Sequence, residues 1–518
     1  MHTVNILWAD DEIEMLKPQI LFLEQKGYSV IAVTNGQDAI EKCKSQPVDI
    51  VFLDEHMPGI SGLETLARIK AIHASLPIVM VTKNEEENIM EEAIGGQIAD
   101  YLIKPVKTNQ ILLTLKKLIE NKKLVSQKTT ADYQREFQKI FSSIQSSQSH
   151  EEWSELYQQL VYWELALERS QTQDMREVFA LQKQEANVEF NKFIMKNYLR
   201  WLKNSDDAPV MSHTVMEKKI FPYLKATKPV FIILIDNLRL DQWKVIQPVI
   251  ADSFRLVEES TYYAILPTAT HYCRNAFFAG MMPSEIAERF PALWKNDEEE
   301  GGKNLHEEDF FKDLLKRKFR NDIKAQYIKI TQHQDAKLLE SNIINYLNNN
   351  IVSIVYNFID MLSHARTELE VLKELANDEA AYRSLTLSWF EHSPLHNALK
   401  KLAQKKEVTL IFTTDHGSIR VNEPSKCIAD RTTTTNIRYK TGKNLNFEPK
   451  DVFEIKNPQD AGLPRSFVSS TYIFAKEDKF FVYPNNYNHF VNYFKNTFQH
   501  GGISLEEIII PFAVYTNR

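Results

Sequence analysis

Residues 229–236, PVFIILID, form an apolar run that ends in the carboxylate Asp236. Three similar runs follow in the same half of the chain: VSIVYNFID at 352–360, VTLIFTTD at 408–415 and EEIIIPFAV at 506–514. Continuous apolar runs of this length are typical of strands that are covered on both faces of a sheet. Open α/β sheets collect their ligands at the carboxyl ends of such strands. The C-terminal half is therefore predicted to be an α/β domain whose functional groups follow its strands.

Acidic and histidine side chains lie at or after these strand ends and at one further position. The candidates for metal binding are Asp236, Asp360, His364, Asp415, His416 and His500. Asp360 and His364 are four residues apart, so a helix after the second run would place both on one face. Asp415 and His416 are adjacent and point in different directions, so they can reach two metals or two sides of one. Mixed aspartate and histidine ligation suits Zn²⁺, with Mn²⁺ as the next choice, and two such ions typically lie about 4 Å apart.

A hydroxyl nucleophile is expected among these pieces. Thr268 and Thr270 both fit an apolar corner between a strand and a helix, and at this point both remain candidates. Arg274 lies one helical turn after Thr270 and could bind a phosphate oxygen. The alternative for Arg274 is an ion pair with a neighbouring carboxylate.

Residues 1–120 have a different pattern, in which five short apolar runs alternate with segments of helical period. The runs are VNILWAD, SVIAVT, VDIVFLDE, LPIVMVT and DYLIKP. Five strands that alternate with helices predict a parallel sheet with helices on both faces. Asp10 and Asp11 close the first run and Asp54 closes the third, which makes an oxygen-rich pocket suited to Mg²⁺.

The same pocket has the groups needed to accept a phosphoryl group. With the metal screening the charge, Asp54 could attack phosphorus and form an aspartyl phosphate. Thr82 ends the fourth run and could hydrogen-bond the phosphoryl oxygens, and Lys104 in the fifth could form an ion pair with them. The pattern therefore predicts a phosphorylation site at Asp54.

Composition limits the class of protein. A length of 518 residues, with 43% hydrophobic and 25% charged residues, suggests about three soluble globular domains. Residues 1–120 hold 11 basic and 18 acidic residues, and the remainder then holds 62 − 11 = 51 basic and 69 − 18 = 51 acidic residues. A neutral remainder without a helix-turn-helix signature argues against a surface that binds duplex DNA.

The sequence also gives expectations about location. The N-terminus MHTVNILWADDE has no basic segment before a long apolar stretch, so we expect no signal peptide. No apolar run approaches the roughly 20 residues that span a bilayer, so no membrane association is expected. Cys43, Cys273 and Cys427 are widely separated and are expected to be free thiols, which favours a cytoplasmic protein.

Between the two α/β patterns, residues 109–202 lack glycine and proline and repeat apolar residues at helical spacing, which predicts a helical segment. Residues 204–209, NSDDAP, form a polar linker. The predicted domains are 1–121, 122–205 and 206–518. The polar stretches 296–304 and 418–463 interrupt the last of these, and the second is basic and flexible in composition.

Residues 1–120 resemble the receiver domain of two-component response regulators. The matching residues are Asp10-Asp11-Glu12, Asp54-Glu55-His56-Met57-Pro58-Gly59, Thr82, and Asp100-Tyr101-Leu102-Ile103-Lys104-Pro105. The resemblance implies that a sensor histidine kinase supplies the phosphoryl group. It also implies that Tyr101 is the switch aromatic of a face made by helix 4, strand 5 and helix 5, which rearranges on phosphorylation and usually dimerises.

Residues 225–518 resemble the PglZ branch of the alkaline phosphatase superfamily. The matching pieces are Ile235-Asp236-Asn237-Leu238-Arg239-Leu240-Asp241, Leu266-Pro267-Thr268-Ala269-Thr270, Phe358-Ile359-Asp360 through His364, Asp415-His416-Gly417, and His500-Gly501-Gly502-Ile503-Ser504-Leu505-Glu506-Glu507. The resemblance implies that Asp360, His364 and His500 hold one zinc ion. Asp236, Asp415 and His416 would hold the second, beside the nucleophile.

The resemblance also bears on the nucleophile. In the related nucleotide pyrophosphatase/phosphodiesterases, the attacking threonine precedes a Gly-x-x-Pro by ten residues, and Thr270 with Gly280-Met281-Met282-Pro283 has that spacing. Thr270 is therefore favoured and Thr268 becomes a structural hydroxyl. A threonine also argues against a sulfatase, whose nucleophile is a modified cysteine or serine. The implied mechanism passes through a phospho-threonine intermediate.

The expected substrate is a phosphodiester. Monoesterases of this superfamily usually add a strongly cationic clamp, and Arg274 is the only evident candidate. The resemblance points to short or cyclic oligonucleotides. Arg438, Lys440 and Lys443, in the stretch 418–463, could form a lid over an anionic substrate, or they could lie on an exposed loop without substrate contact.

Two functions compete. The whole chain resembles the PorX-type response regulators of Bacteroidetes type IX secretion systems, which implies a zinc phosphodiesterase that is activated when phosphorylation of Asp54 promotes dimerisation. The alternative is a non-catalytic scaffold whose PglZ-like domain binds a sigma factor or a secretion component. The six intact ligand candidates and Thr270 favour the enzyme, since decayed sites usually lose ligands first.

Overall fold

The computed structural model describes most of the chain. The described residues are 4–83, 98–170, 173–203, 205–225, 228–320, 323–376, 378–405, 407–429, 434–465 and 469–518. They form two compact units, Met1–Tyr133 with Ser170–Thr172, and Gln134–Arg169 with Gln173–Arg518. Among the helices of the described residues, none combines the length and the apolar character that a membrane crossing requires.

The N-terminal unit contains one parallel sheet of five strands. The strands are β1 (Asn5–Ala9), β2 (Ser29–Val33), β3 (Ile50–Asp54), β4 (Ile78–Thr82) and β5 (Asp100–Ile103). Their order is β2-β1-β3-β4-β5. The described helices of this unit are Lys17–Gln25, Gly36–Ser45, Gly62–Ile72 and Thr108–Leu115, with a short 3-10 helix at Ile13–Leu16 and a π-helix at Lys116–Glu120. The predicted parallel sheet of five strands is confirmed.

The two faces of this sheet bury separate apolar layers, because side chains alternate along each strand. Leu7 and Leu53 lie in one layer, and Trp8 and Phe52 lie in the other. Helices cover both faces, so the carboxyl ends of β1, β3 and β4 are left as the accessible edge of the sheet. Asp10, Asp54 and Thr82 are at that edge.

The middle of the chain is helical, as predicted. Its helices are Asn121–Ser146, His150–Ser170 and Gln173–Trp201. The last two pack through aromatic side chains, with Trp153 and Phe190 in edge contact at 5.3 Å between ring centroids. Trp153, Tyr157 and Tyr198 are buried and belong to the core of this segment, whereas Tyr162 is exposed.

The large sheet of the second unit is mixed and has six strands. They are β6 (Val230–Ile235), β7 (Phe254–Tyr263), β8 (Ala325–Ile330), β9 (Ile351–Tyr356), β10 (Thr409–Thr413) and β19 (Ile509–Asn517), in the order β7-β19-β10-β6-β9-β8. β10, β6, β9 and β8 are parallel, and β19 is antiparallel to β10 and β7. The four predicted strands are present. β6, β9 and β10 are buried along their whole length, as their apolar runs indicated.

Helices flank this sheet, and smaller sheets lie in its insertions. The helices are Leu240–Ala251, Thr270–Ala279, Pro283–Arg289, Glu307–Phe319, His333–Asn342, Phe358–Glu368, Glu370–Leu375, Glu379–His392, Pro394–Ala403, Tyr487–Phe494 and Leu505–Ile508. The remaining strands are β11 (Ile419–Arg420), β12 (Glu423–Ile428), β13 (Tyr439–Gly442), β14 (Asn446–Phe447), β15 (Val452–Ile455), β16 (Thr471–Ala475), β17 (Lys479–Val482) and β18 (Phe498–Gln499).

The stretch 418–463 is more regular than its composition indicated. It supplies strands to two three-stranded sheets, β14-β12-β17 and β13-β16-β15. These sheets bury apolar side chains such as Cys427, Ile473 and Phe481. The expectation of a flexible stretch is wrong for the residues that the structure describes; residues 430–433 lie outside them.

Candidate functional site

The metal-ligand candidates of the second unit meet at the carboxyl edge of the six-stranded sheet. Asp236 follows β6, Asp360 and His364 lie on the helix after β9, Asp415 and His416 follow β10, and His500 follows β18. They form two groups in which the possible ligand atoms all lie within 4.8 Å of one another: Asp360 with His364 and His500, and Asp236 with Asp415 and His416. This is the partition that the PglZ resemblance implied.

The first group is centred on the Asp360 carboxylate. His364 Nε2 lies 3.5 Å from Oδ2, and His500 Nε2 lies 3.6 Å from Oδ1. The spacing of four residues on the helix Phe358–Glu368 places Asp360 and His364 on one face, as predicted. His364 exposes 64% of its side chain, so this group faces the solvent side of the site.

The second group is almost completely buried. His416 Nε2 lies 3.8 Å from Asp236 Oδ1 and 3.9 Å from Asp415 Oδ2. The His416 ring stacks on His500 with 4.3 Å between the ring centroids, so the two groups adjoin. Gly417 is needed next to this histidine, because a Cβ there would lie 2.0 Å from the carbonyl oxygen of Glu506.

Two of the histidines are oriented by their second ring nitrogen. His500 Nδ1 is 3.2 Å from the carbonyl oxygen of Thr268, and His416 Nδ1 is 3.0 Å from the carbonyl oxygen of Gly417. An N–H at Nδ1 that donates to a carbonyl leaves Nε2 as the free lone pair, which is the usual arrangement of a metal-binding histidine. Burial, with His416 and His364 nearby, lowers the pKa of His500 well below its ordinary value and so keeps it neutral.

The charges and unpaired atoms of the site fit divalent cations. Oδ2 of Asp415 is buried without a hydrogen-bond partner among the described residues. Burial, with the neighbouring Asp236 carboxylate, raises the pKa of Asp415 to about 6, and burial also raises the pKa of Asp360. The raised pKa values show that the ionised carboxylates are unfavourable here without a positive charge. Carboxylates with neutral imidazoles beside them are the donor set expected for Zn²⁺.

Thr270 lies beside the second group. Its Oγ1 donates to Asp236 Oδ1 at 3.3 Å and is 3.0 Å from His416 Nε2. The residue opens the helix Thr270–Ala279, and its carbonyl accepts a hydrogen bond from Asn304 Nδ2 at 3.0 Å. The unpaired N–H groups of a first helical turn favour negative charge at this position.

Thr268 has a different environment. It is fully buried, its Oγ1 donates to the carbonyl of Gly502 at 2.9 Å, and it accepts from the N–H of Gly501 at 3.0 Å. The hydroxyl is therefore used to fasten the loop that carries His500. The geometry agrees with the preference for Thr270.

Arg274 requires a correction. It lies one turn after Thr270, but its guanidinium is buried and held by carboxylates: Nε donates to Glu307 at 2.6 Å and Nη1 donates to Asp236 Oδ2 at 2.8 Å. Nη1 also donates to the Asn357 amide oxygen at 3.2 Å. The ion-pair alternative is therefore the correct one, and Arg274 orients Asp236 rather than serving as an open phosphate ligand.

The lid hypothesis is wrong for Arg438 and Lys440. Arg438 is fully buried, and its Nη2 donates to Glu507 Oε2 at 2.6 Å. Lys440 is 1% exposed and donates to the carbonyl of Thr434 at 2.8 Å, and burial lowers its pKa to about 8. Neither charge can cover a substrate from this position. Lys443, just after β13, is half-buried and is the one of the three whose lid role stays a prediction.

A cleft of about 900 Å³ opens over Thr270. Its described lining includes Thr270, His364 and His500, together with the aromatic residues Tyr439 and Tyr493. Among the described lining residues, Lys303 is the only lysine or arginine, and its amine bonds to the carbonyls of Asn296 and Glu299. The cleft therefore joins the nucleophile candidate to the first metal group without a cationic clamp.

The N-terminal unit has its own cluster of acidic groups. Asp10, Asp11 and Asp54 present carboxylate oxygens within 4.8 Å of one another. Lys104 Nζ lies 2.8 Å from Asp10 Oδ2 and 3.0 Å from Asp54 Oδ2. Burial raises the pKa of Asp54, and although burial alone would lower the pKa of Lys104, its hydrogen bonds to the two aspartates raise it.

The two switch candidates are placed differently. The Thr82 hydroxyl donates to Glu55 Oε2 at 2.5 Å, so it points to the side of the pocket rather than into solvent. Tyr101 lies on β5 and exposes 43% of its side chain. Helix 4 of the predicted switch face falls in residues 84–97, outside the described residues.

Several residues of the site were missed in the sequence. Asn237 adopts a left-handed conformation, with φ of 62°, and its Nδ2 donates to Asp360 Oδ1 at 3.3 Å, which connects the two ligand groups. An asparagine directly after a strand-end aspartate was the available signal, since asparagine tolerates this conformation. Glu307 and Asn304 gave no such signal, because their partners are distant in sequence.

Models of three known families match consecutive parts of the chain. The model of the BREX system PglZ alkaline phosphatase-like domain matches residues 215–515, which is more than half of the chain. The chain belongs to the PglZ family. The PorX response regulator linker domain matches residues 123–202 of this PglZ protein, and the response regulator receiver domain matches residues 6–116. The three matches, in this order, are the PorX-type architecture.

Curated relatives match the receiver part of the PglZ protein. The transcriptional regulatory protein ZraR of Klebsiella oxytoca is 33% identical over 23% of this chain and 27% of its own length. ResD of Bacillus subtilis (strain 168) is 31% identical over 22% of this chain and 48% of its own length. This chain thus spans less than half of either relative.

Solved structures match the same part. The CheY-like receiver domain protein of Methanospirillum hungatei JF-1 is 24% identical and covers 24% of this chain and 98% of its own, with a TM-score of 0.23. The Vibrio cholerae chemotaxis protein CheY4 is 23% identical and covers 23% of this chain and 100% of its own, with a TM-score of 0.22.

Proposed function

We propose that the chain is a two-component response regulator whose effector is a zinc-dependent phosphodiesterase with Thr270 as its nucleophile. The observation that carries the proposal is the position of Thr270 Oγ1, 3.0 Å from His416 Nε2 and 3.3 Å from Asp236 Oδ1. A hydroxyl so close to two candidate ligands of one ion is where a nucleophile is activated. The membership in a family of the alkaline phosphatase superfamily supports a hydrolase.

The residues around Thr270 prepare an in-line attack. Zinc ions in the two groups would lower the pKa of a bound hydroxyl and stabilise negative charge on phosphorus oxygens. Thr270 Oγ1 would form a bond to phosphorus while the bond to the leaving oxygen breaks, and the hydroxyl proton of Thr270 passes to that oxygen. The intermediate is a phospho-threonine that keeps the second ester group of the substrate. Water then hydrolyses this ester. Arg274 fixes Asp236 through Oδ2, which leaves Oδ1 facing the hydroxyl.

The charge of the cleft favours diesters over monoesters. A monoester dianion calls for additional cationic donors, but the guanidinium of Arg274 is taken up by Glu307 and Asp236, and the Lys303 amine is bonded to carbonyl oxygens. A diester carries one negative charge at the phosphorus, which the metal groups and the helix N-terminus can balance. We therefore assign diester hydrolysis.

The size and lining of the cleft suit short or cyclic oligonucleotides. About 900 Å³ exceeds what a single small diester fills, and the half-buried Tyr493 gives the lining of the cleft an aromatic ring. Aromatic faces accept nucleobases by stacking, without strict sequence preference. These properties support a nucleotide substrate.

The receiver site supplies the regulation. Asp54 would accept a phosphoryl group from a sensor kinase, with Mg²⁺ held by Asp10, Asp11 and Asp54. Lys104 already contacts Asp54 and is placed to pair with the phosphoryl oxygens. Phosphorylation would promote a homodimer through the face that includes Tyr101, and the role in the cell would be control of type IX secretion.

The test is a substrate panel with defined metal. The zinc-loaded protein should hydrolyse bis(p-nitrophenyl) phosphate and linear or cyclic dinucleotides, and p-nitrophenyl phosphate much more slowly. Chelation should abolish turnover, and Thr270→Val should abolish it with zinc still bound. Full activity of Thr270→Val, or a preference for the monoester, would contradict the proposal.

A further inference from the structure

A network of buried charges begins three residues after Asp236. Arg239 is fully buried, and its Nε and Nη2 donate to the two oxygens of Asp241 at 2.9 Å and 2.6 Å. Nη2 also donates to Glu379. A bidentate contact of this kind fixes the plane of the guanidinium. The orientation of Arg239 is therefore determined by its acidic partners.

Arg239 packs between three segments of the chain, each of which adjoins one of the candidate ligands. The first is its own loop, which begins at Asp236. Its Cγ lies 3.5 Å from the position that a Cβ on Gly417 would take, in the loop after β10. Its guanidinium lies over the ring of Phe498 at 4.8 Å, two residues before the last ligand. One side chain thus touches the segments from which both ligand groups are built.

The acidic partners of Arg239 are in turn held by the helical segment. Arg383 Nη1 donates to Asp241 Oδ2 at 2.7 Å and to Glu164 Oε1 at 2.7 Å, and its Nη2 donates to Glu168. Glu164 and Glu168 belong to the helix His150–Ser170, more than 60 residues before the strand β6 that ends at the site. The chain of contacts from this helix to Arg239 has three ionic steps, Glu164–Arg383, Arg383–Asp241 and Asp241–Arg239.

A second arm of the network reaches the loop of the last ligand. Lys183 Nζ lies 2.9 Å from Glu164 Oε2 and 3.0 Å from Glu506 Oε1. Asn187 holds the same loop, since its Nδ2 donates to Glu506 Oε2 at 3.1 Å and its Oδ1 accepts from the N–H of Leu505 at 2.8 Å. Gly417, which follows the candidate ligand His416, packs against the carbonyl oxygen of Glu506. The second arm of the network therefore also reaches the candidate ligands.

We propose that Glu164 and Lys183 are positioning residues of the active site, which hold Arg239 and Glu506 so that the ligand loops keep their spacing. The inference rests on the proposed function, and it means that residues of the helical segment help to position the metal ligands of the hydrolase. Apolar residues could stabilise the fold as well as these buried ion pairs do. Directed hydrogen bonds between charged groups, however, fix one arrangement of the side chains. Ligand atoms that must stay within a few ångströms are sensitive to small shifts of their loops.

The proposal is tested with variants that disturb the network without touching the ligands. Lys183→Met breaks the second arm and removes one partner of Glu164. Glu164→Gln removes one charge at constant shape, and the double variant removes both signs together. Lys219→Met is the matched control. Lys219 pairs with Glu258 of the edge strand β7 at 3.0 Å, and its side chain is 19% exposed, close to the 15% of Lys183. Each protein is assayed for diester hydrolysis at saturating zinc and for zinc affinity by chelator competition.

The expected result is a fall of about tenfold in kcat and about tenfold in zinc affinity for Lys183→Met, with KM changed by less than about twofold, since groups that orient metal ligands have effects of this size. Lys183→Arg should recover most of the loss. The double variant should lose no more than the worse single variant, because the two residues act in one network. The control should keep both quantities within about twofold.

Unchanged kcat and zinc affinity in Lys183→Met and Glu164→Gln would overturn the proposal, and so would an equal loss in Lys219→Met. If Lys183→Met does not fold, Glu164→Gln decides by the same criteria. A wild-type protein that binds zinc but hydrolyses no diester would refute the proposed function instead, while the affinity measurements would still decide the role of the network.

Discussion

Two threonines, two residues apart, give the sharpest separation between a catalytic and a structural hydroxyl. Replacing either by valine removes only the hydroxyl and keeps the shape of the side chain. Thr268→Val leaves the N–H of Gly501 and the carbonyl of Gly502 without their partner in a fully buried place. Each unsatisfied group costs about 1–2 kcal/mol, so the free energy of unfolding should fall by about 2–4 kcal/mol.

Thr270→Val should behave in the opposite way. Its Oγ1 is only part-buried, and the distance of 3.3 Å to Asp236 is long for a hydrogen bond, so the contact of 3.0 Å to His416 is the main loss and the stability should change by about 1 kcal/mol. The rate of diester hydrolysis should fall by at least about 10³-fold, since the attacking atom is gone. Thr268→Val should keep measurable turnover, lowered only as far as the loop of His500 loosens.

The assay pairs urea unfolding, followed by tryptophan fluorescence, with bis(p-nitrophenyl) phosphate hydrolysis in the same buffer and with the same zinc. Unfolding is compared in the metal-free proteins, so that loss of bound metal does not enter the difference. The reasoning is refuted if Thr268→Val abolishes turnover at unchanged stability, or if Thr270→Val retains the wild-type rate.

Further predictions concern protons, the buried arginine and the receiver. The pKa of Asp415 is raised in the folded protein to about 6, so the metal-free fold should lose stability as the pH rises from about 4 to 6. For the same reason, zinc binding should release protons from this group at pH 5.5 and almost none at pH 8. Calorimetry in buffers of different ionisation enthalpy measures the number of protons released. Arg438→Ala should lower the free energy of unfolding by about 3–5 kcal/mol, because Glu507 would be left buried without its ion-pair partner. The resulting loss of activity should be the same for short and long substrates, and hydrolysis of di- and tetranucleotides checks this. Asp54→Asn should block the effect of acetyl phosphate with Mg²⁺, so that light scattering shows a rise in dimer content only for the wild type; equal dimer content in both would contradict the switch.

The sequence was most informative where short-range pattern and chemistry coincide. The buried strands β6, β9 and β10 are continuous apolar runs, and each is followed by a carboxylate, so the location of Asp236, Asp360 and Asp415 at one sheet edge could be predicted. The edge strands β7 and β8 were missed, since they are only partly buried and carry charged residues. Their pattern is that of a half-exposed strand, which resembles an irregular segment.

Long-range pairing could not be predicted. Arg274 and Glu307 are separated by 33 residues and meet only because two helices pack side by side. Arg438 stands in a basic, polar stretch that suggests exposure, but Glu507, from a distant helix, draws it into the interior. In both cases the sequence shows the charged residue but not its partner. An ion pair was one of the two alternatives for Arg274, whereas neither alternative for Arg438 was a buried ion pair.

The measurement that tests the central claim most directly is the zinc content of the purified protein and of one variant in each ligand group. The wild type should hold two zinc ions per chain, and Asp360→Asn and Asp415→Asn should each lower the content to about one, with anomalous scattering at the zinc edge placing the remaining ion in the intact group. A protein that binds no zinc, or a content of two ions that neither substitution changes, would contradict the assignment of the six ligands.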